Sequence, residues 1–68
     1  MAKYYVNKQP ESTGKHEVHQ SGCSHLPSIG QLVYLGDFDS CSEAVIEAEK
    51  YFIHVEGCEF CCSGCHMS

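Results

Sequence analysis

The carboxyl-terminal stretch from Gly57 to His66 contains four cysteines and one histidine within ten residues. Thiolates and imidazoles are the ligands that zinc prefers, and cysteines also form disulfides, so this stretch constrains the fold more than any hydrophobic pattern does. We therefore take a metal site as the first hypothesis. The remaining candidates for completing such a site are Cys23, Cys41, His16, His19 and His25.

The length of the chain makes a covalent or metal staple necessary. A chain of 68 residues forms one domain at most, and a domain of this size buries only roughly 60% of the surface of its unfolded chain. With no tryptophan and three phenylalanines, the apolar core should supply no more than about 3–5 kcal/mol. We expect residues 1–68 to form a single small domain held together by disulfides or by a structural metal.

The amino-terminal sequence predicts a cytoplasmic location. Residues 1–8 contain neither the apolar run nor the cleavage site of a signal peptide. The cytosol keeps thiols reduced, which favours zinc over disulfides for the same cysteine pattern. No segment approaches the roughly 18 apolar residues of a membrane span, so we expect no membrane partner.

The charge of the chain argues against nucleic-acid binding. Its nine acidic residues and four lysines give a formal charge of −5, and it contains no arginine. Affinity for a phosphate backbone comes largely from lysine and arginine. Cationic partners, or no charged partner at all, suit such a chain better.

Three segments carry strand signals. Tyrosine and valine in the segment 3–8 favour a strand, the proline and glycine of the segment 9–14 favour a turn, and alternation in the segment 15–19 favours a second strand. We predict a hairpin from these. The segment 31–35 gives the strongest strand signal, so we expect a short antiparallel sheet of about three strands.

A helix is predicted from about Cys41 to about His54. Ser40 and Glu43 match the capping-box spacing, in which the serine hydroxyl and the carboxylate each accept from a backbone amide at the helix start. Apolar residues at helical spacing define its buried face, and charged residues, including a possible Glu47 and Lys50 ion pair, lie opposite. The buried face consists of Val45, Ala48 and Phe52, flanked by Cys41, Ala44 and Val55.

Two isoleucines and a glycine complete the description of this segment. Ile46 and Ile53 are either the edge of a wide core stripe or part of a contact surface, and we favour the core edge. Gly57 should end the helical region, as a left-handed cap or as the start of a metal knuckle.

The carboxyl-terminal half of the metal site is predicted to be Cys58 and Cys61. A Cys-x-x-Cys turn supplies two thiolates from one tight loop, and its backbone amides can donate to the sulfurs. Cys62 and Cys65 repeat the spacing. Because Cys61 and Cys62 are adjacent, the two pairs compete for one ion.

The other half of the site is predicted to be His19 and Cys23. Three residues separate them, which lets a strand end and the turn after it face a common point. Cys65, His16 and His66 are the alternatives for the fourth ligand. A metal closing the loop from Cys23 to Cys58 would contribute about 10–16 kcal/mol of apparent binding energy, so folding and zinc binding would form one equilibrium.

The order of these motifs resembles the Ada-like metal-binding domain family. The resemblance covers roughly residues 15–61 and rests on Val18-His19, Cys23, the helix entry Phe38-x-Ser40-x-x-Glu43-Ala44, and Gly57-Cys58-x-x-Cys61. It implies a small α+β zinc fold whose ligands are His19, Cys23, Cys58 and Cys61. The family includes the amino-terminal module of a DNA-alkylation repair protein, where all four ligands are cysteines and the first accepts a methyl group. Histidine at position 19 is a poor methyl acceptor, so the fold and ligands carry over and the repair activity does not.

The remaining cysteines have competing interpretations. Cys62-x-x-Cys65-His66 matches the c-type haem attachment pattern, but haem attachment requires export and a porphyrin-sized pocket, so we disfavour it. Cys41 is either a reactive thiol at a helix start or, as we favour, a small buried residue. Cys62, Cys65 and His66 could also form an exchangeable second site for metal or redox handling.

From the sequence we therefore predict a non-enzymatic, zinc-stapled α+β module with one helix and a carboxyl-terminal Cys-x-x-Cys knuckle. No general base, nucleophile or cofactor loop is recognisable, so we expect a protein-interaction domain whose partner is unknown. Thiol-based metal or redox handling is the alternative, and an Ada-like nucleic-acid-associated module is a weaker one.

Overall fold

A computed structural model describes residues 1–65, apart from the side chain of Ser63. It has the α+β fold that the sequence predicts. The strands are β1 (Ala2–Asn7), β2 (His16–Gln20), β3 (Leu32–Phe38) and β4 (Val55–Gly57), and the helix α1 is Cys41–Ala48, with short 3₁₀ turns at Ile29–Gln31 and Ser63–Cys65.

The four strands form one mixed sheet in the order β3-β1-β2-β4. The predicted hairpin is confirmed: β1 and β2 are antiparallel, and Val6 lies opposite Val18. β3 pairs antiparallel with the other edge of β1, as a third strand should. β4 was not predicted. It pairs parallel with β2, which the crossover through β3 and α1 makes possible because parallel neighbours need a long connection.

The pairing of β1 with β3 contains a bulge. Tyr4 lies opposite Gly36 and Tyr5 opposite Tyr34, so Leu35 is the extra residue on β3. Gly36 has a φ of 129°, a conformation that residues with a Cβ rarely adopt. The bulge lets β3 run on to Phe38, three residues beyond the strand predicted from sequence.

α1 ends at Ala48, so the predicted continuation to His54 is wrong. Tyr51 donates its backbone N–H to the carbonyl of Ala48 at 2.9 Å, three residues back, as the chain tightens and leaves the helix. The free edge of β2 offers backbone partners to the segment that follows, and His16 N–H donates to the carbonyl of His54 at 2.9 Å. The residues from His54 through β4 therefore form their backbone hydrogen bonds with β2 and not within the helix. None of the helices within residues 1–65 has the length and apolar character needed to cross a membrane.

The capping box predicted at Ser40 is only partly formed. The Ser40 side chain makes no capping hydrogen bond and instead lies 3.0 Å from the hydroxyl of Ser42. The carboxylate of Glu43 does reach back, but it accepts from the backbone N–H of Asp39 at 3.2 Å. The predicted pair of Glu47 and Lys50 is present at 3.1 Å.

The core lies between α1 and one face of the sheet. The helix contributes Ala44 and Ala48, both fully buried. The sheet and the carboxyl-terminal turn contribute the other buried members, which are Tyr4, Val6, Val18, Leu35 and Cys62. Ile46 and Ile53 are 63% and 86% exposed, so the favoured interpretation of them as the core edge is wrong.

Gly57 is the last residue of β4, so the predicted helix cap is wrong, whereas the alternative of a position directly before the Cys58-x-x-Cys61 turn agrees with the structure. A Cβ at this position would lie 2.7 Å from the Cβ of Cys65 and 2.9 Å from that of Cys62. Real Cβ atoms do not approach so closely, so Gly57 is what allows the carboxyl-terminal turn to pack against β4.

Candidate metal centre

His19 is placed by the alternation of β2. Successive side chains of a strand point to opposite faces, so Val18 enters the core under α1 and His19 lies on the other face of the sheet. His19 is nevertheless 1% exposed. An imidazole that is buried on the face away from the apolar core needs a polar partner or a metal ion for its ring nitrogens.

Cys23 follows in a tight turn after β2. Its backbone N–H donates to the carbonyl of Gln20 at 3.0 Å, and Gly22 supplies the positive φ of 89° that this turn needs. The turn folds the chain back over His19. The half-buried Cys23 thiol then lies on the same side of the sheet as the imidazole.

Cys58 and Cys61 come from the turn that follows β4. Cys58 extends the pairing with β2 through its N–H bond to the carbonyl of Val18 at 2.9 Å, and its own carbonyl accepts the N–H of Cys62 at 2.8 Å. The backbone N–H of Phe60 donates to Cys58 Sγ at 3.4 Å. This is the amide-to-sulfur bonding expected of a Cys-x-x-Cys knuckle.

A second amide-to-sulfur bond joins the two halves of the site. The backbone N–H of Gln20 donates to Cys61 Sγ at 3.3 Å. Because Gln20 lies between His19 and Cys23, this bond fixes one ligand loop against the other.

The structure brings the four predicted ligands together. One ligand atom each from His19, Cys23, Cys58 and Cys61 lies within 4.8 Å of the others, and the Sγ atoms of Cys23 and Cys58 are 3.9 Å apart. A tetrahedral zinc ion with Zn–S bonds of about 2.3 Å separates two sulfurs by about 3.8 Å. The cluster could therefore hold a metal ion after a contraction of about 1 Å along its longest edge.

The imidazole of His19 provides the clearest chemical argument for a metal. Both ring nitrogens are buried and neither has a hydrogen-bond partner. Leaving a buried polar group unsatisfied costs about 1–3 kcal/mol. Burial also lowers the pKa of His19, an effect that Glu11 opposes and His25 reinforces, so the ring is neutral at pH 7 and has a lone pair available for a metal.

The thiols also favour a metal-bound state over ionisation alone. Burial raises the pKa of the Cys61 thiol above its ordinary value of 9.0, and the side chain of Cys23 and the neighbouring cysteines raise it further, whereas the Gln20 amide lowers it. Several thiolates cannot share so small a volume without a cation between them. A divalent ion would stabilise the thiolates, lower the pKa values of the thiols and so deprotonate them.

No known protein family, curated protein or solved structure matches this chain. The geometry of the four residues therefore has to carry the functional argument.

A carboxylate lies beside the histidine. Oε1 of Glu17 is 3.5 Å from Nε2 of His19, slightly beyond a good hydrogen bond. Histidines that bind metals commonly donate their other ring N–H to such a group. Glu17 was missed in the sequence analysis, although its position two residues before His19 on one strand face could have revealed it.

An aromatic stack joins the two ligand loops. The rings of His25 and Phe60 are 3.8 Å apart and 16° from parallel. His25 belongs to the loop after Cys23 and Phe60 to the Cys58-x-x-Cys61 turn, so the stack clamps the two ligand loops together. Spacing alone did not indicate this contact.

Two of the three alternative fourth ligands, His16 and Cys65, make other contacts. His16 stacks on Phe52 at 3.8 Å, and its Nδ1 lies 2.9 Å from the carbonyl oxygen of Asn7. Cys65 forms a disulfide with Cys41. His66 lies outside the described residues.

The disulfide between Cys41 and Cys65 corrects both interpretations of Cys41. The residue is neither a free reactive thiol nor a free buried one, because it ties the start of α1 to the turn Ser63–Cys65 across 24 positions. The predicted preference for zinc over disulfides therefore does not hold for these two cysteines. The bond also leaves Cys65 without the free thiol that haem attachment requires. Three cysteines lie outside the metal set, so a disulfide between two of them was possible, but no sequence signal indicated which two would pair.

Cys62 is the remaining free thiol among the described cysteines that lie outside the tetrad. It is 2% exposed, and burial is the main cause that raises its pKa. Its Sγ is 4.0 Å from that of Cys61. Cys62 therefore lies between the metal cluster and the disulfide.

Proposed function

We propose that this chain is a non-enzymatic zinc-binding module in which His19, Cys23, Cys58 and Cys61 hold one structural zinc ion. The observation that carries the proposal is a buried imidazole without hydrogen bonds, surrounded by three thiols within 4.8 Å. An arrangement of this kind is unfavourable when empty and favourable around a cation. Zinc is the metal class that best fits one imidazole and three thiolates.

The role of the metal is to join the two turns that follow the adjacent parallel strands β2 and β4. The turn after β2 and the turn after β4 are distant in sequence, and the small core provides little energy to hold them. A structural zinc ion, with an apparent binding energy of about 10–16 kcal/mol, would exceed the contribution of that core. We infer that the folded state depends on the ion.

The relation to the Ada-like family remains part of this proposal. The order of the ligand motifs supports a related zinc fold, and the imidazole at position 19 argues against alkyl transfer. The acidic charge of −5 argues against nucleic-acid binding. We expect no retention of the chain by duplex DNA in a gel-shift assay at low salt, and retention there would favour the nucleic-acid alternative.

We propose that the module acts by presenting a surface to a protein partner. Exposed apolar side chains support this: Phe60 is 63% exposed beside the metal cluster, and Ile46 and Ile53 are exposed on and after α1. A cytoplasmic location stays a prediction from the amino-terminal sequence. The Cys41–Cys65 disulfide is more typical of an oxidising compartment.

The deciding experiment measures metal content and unfolding together. Native mass spectrometry of the purified chain should give one zinc ion per molecule, and a chelator should abolish the cooperative thermal transition. The disulfide should be verified in the same sample, because it could keep part of the fold intact. A metal-free chain that melts at the same temperature as the zinc-loaded chain would overturn the proposal.

A further inference from the structure

An open groove runs along α1 beside the disulfide. Its volume is about 370 Å³, and its lining includes Val45, Ile46, Glu49, Val55 and Cys65. It is therefore a mainly apolar groove whose lining includes one cysteine of the disulfide. The metal cluster contributes no residue to the lining.

The apolar wall of the groove is accessible. Ile46 is 63% exposed, and Cys65 is half-buried. Ligand-binding clefts are lined mainly by apolar side chains, with a few polar groups that fix the orientation of the ligand. The disulfide cysteine Cys65 and the acidic Glu49 determine which class of peptide would be recognised.

We propose that this groove is a thiol-exchange site for a cationic peptide segment that contains a cysteine next to an apolar residue. The peptide's apolar side chain would lie against Ile46 and Val45, and its thiolate would reach Cys65. The proposal goes beyond the structural zinc site and does not depend on it, since neither Cys41 nor Cys65 belongs to the metal cluster.

The exchange needs no oxidant. The peptide thiolate attacks Sγ of Cys65, a bond forms between the peptide sulfur and Cys65, and the bond between Cys65 and Cys41 breaks. The electron pair of the broken bond leaves with Cys41, which takes up the proton lost by the peptide thiol. One disulfide is consumed and one is formed, so the step is stoichiometric and requires no catalytic turnover.

The structure favours attack at Cys65 over attack at Cys41. Cys65 lines the groove, whereas Cys41 does not. Cys41 is also the first residue of α1, where the helix amides stabilise a departing thiolate. A better leaving group on one sulfur directs the nucleophile to the other.

Cys62 is placed to reverse the adduct. The Cβ atoms of Cys62 and Cys65 both lie within 3 Å of the point where Gly57 would carry a Cβ. The N–H of Cys65 also donates to the carbonyl of Cys62 at 2.8 Å. The two cysteines form a Cys-x-x-Cys turn, so the Cys62 thiol could displace the peptide by forming a bond to Cys65.

Charge selects the class of peptide. Glu49 is exposed at the groove and the whole chain carries −5. Lys50 is the nearest cation in sequence, and its ammonium is paired with Glu47 at 3.1 Å. Opposite charge steers association and raises its rate, so lysine or arginine beside the peptide cysteine should accelerate the exchange.

The test compares two synthetic peptides on the zinc-loaded, oxidised chain under argon. Each has one cysteine, flanked by leucine and lysine in the first and by serine and glutamate in the second. Samples are quenched with acid, and the adducts are located by mass spectrometry. The expected result is an adduct on Cys65, formed about tenfold faster with the cationic apolar peptide at low salt.

A matched pair of variants isolates the groove. Ile46→Ser should slow the reaction of the leucine-containing peptide by about tenfold, because about one apolar side chain's burial is lost. Ile53→Ser removes an even more exposed isoleucine that does not line the groove, and it should leave the rate unchanged. Equal effects of the two substitutions would overturn the proposal.

Three further outcomes would also overturn it. They are a purified chain with no disulfide between Cys41 and Cys65, an adduct on Cys41, and equal rates for the two peptides. Zinc content is measured on the same samples, so a failure of the metal site and a failure of the exchange site are seen separately. The comparison of peptides uses the unaltered chain and does not depend on a variant that folds.

Discussion

The Sγ atoms of Cys23 and Cys58 lie 3.9 Å apart, although the two residues are 35 positions apart in the chain. One lies in the turn after β2 and the other at the exit of β4. Two thiols at this distance match one edge of a zinc tetrahedron. The parallel pairing of β2 with β4 is what produces the contact, because it places the two strand ends side by side.

Replacing a ligand should remove the metal, whereas replacing the neighbouring free thiol should not. Cys23→Ser should weaken zinc binding by more than the roughly 10–100-fold typical of outer-shell changes. Cys62→Ser, the matched control, should keep one zinc ion per chain. Competition with a chromophoric chelator measures both affinities, and equal affinities for the two variants would contradict the assigned ligand set.

Glu17 should orient His19 toward the metal. If its carboxylate accepts the Nε2 proton of the imidazole, Nδ1 is left to bind zinc, and Glu17→Gln should lower zinc affinity by about 10–100-fold. The control is Glu59→Gln, an exposed acidic residue inside the Cys58-x-x-Cys61 turn. The ¹⁵N chemical shifts of the His19 ring report which nitrogen holds the metal, and metal on Nε2 would contradict the role of Glu17.

Stability should fall on acidification below about pH 6.5. Burial lowers the pKa of His19 in the folded chain, so the unfolded chain binds more protons between the folded pKa and the ordinary value of 6.5. The stability that depends on the neutral ring is present above pH 6.5 and is lost as the pH falls through the folded pKa. Proton competition for the zinc ligands acts in the same direction.

The measurement is urea unfolding of the zinc-loaded chain at pH 7.5, 6.5 and 5.5, with these values chosen around the ordinary histidine pKa of about 6.5. The variant His54→Gln, at an exposed position outside the cluster, should show the same loss of stability in acid. A free energy of unfolding that stays constant across this range would show that His19 does not remain neutral and buried.

Gly57 should tolerate no side chain. An alanine Cβ would lie 2.7 Å from Cys65 Cβ and 2.8 Å from the backbone oxygen of Cys62, so the turn that carries the disulfide has to move. We expect Gly57→Ala to destabilise the fold by about 1–3 kcal/mol. Gly30→Ala, where a Cβ meets nothing within 4 Å, is the control, and denaturant unfolding at fixed zinc concentration compares them.

The predicted ligand residues came from local spacing, which is why they could be found without a structure. Cys-x-x-Cys is a turn whose geometry is set by its own backbone, and His19 and Cys23 flank a short turn with a glycine. The hairpin of β1 and β2 is also local, since a turn connects two strands with matched alternation. These features need only neighbouring residues to be recognised.

The conformation of the segment after Ala48 depends on β2, a strand that is distant in sequence. Phe52 and Val55 continue a helical pattern, yet the chain leaves the helix because the open edge of β2 supplies backbone hydrogen bonds to β4. The bond between Cys41 and Cys65 has the same origin. It depends on where the carboxyl-terminal turn packs. That turn can pack against β4 because Gly57 has no Cβ.

The sequence by itself determined the kind of site in this protein: a small α+β chain with clustered thiols and one histidine at metal-ligand spacing. Only the tertiary structure decided how the six cysteines are divided, with three beside His19, two in a disulfide and Cys62 between them. The physical reason is that spacing fixes which ligands a single turn can offer. Which turns meet depends on strand pairing and close packing between residues far apart in the chain.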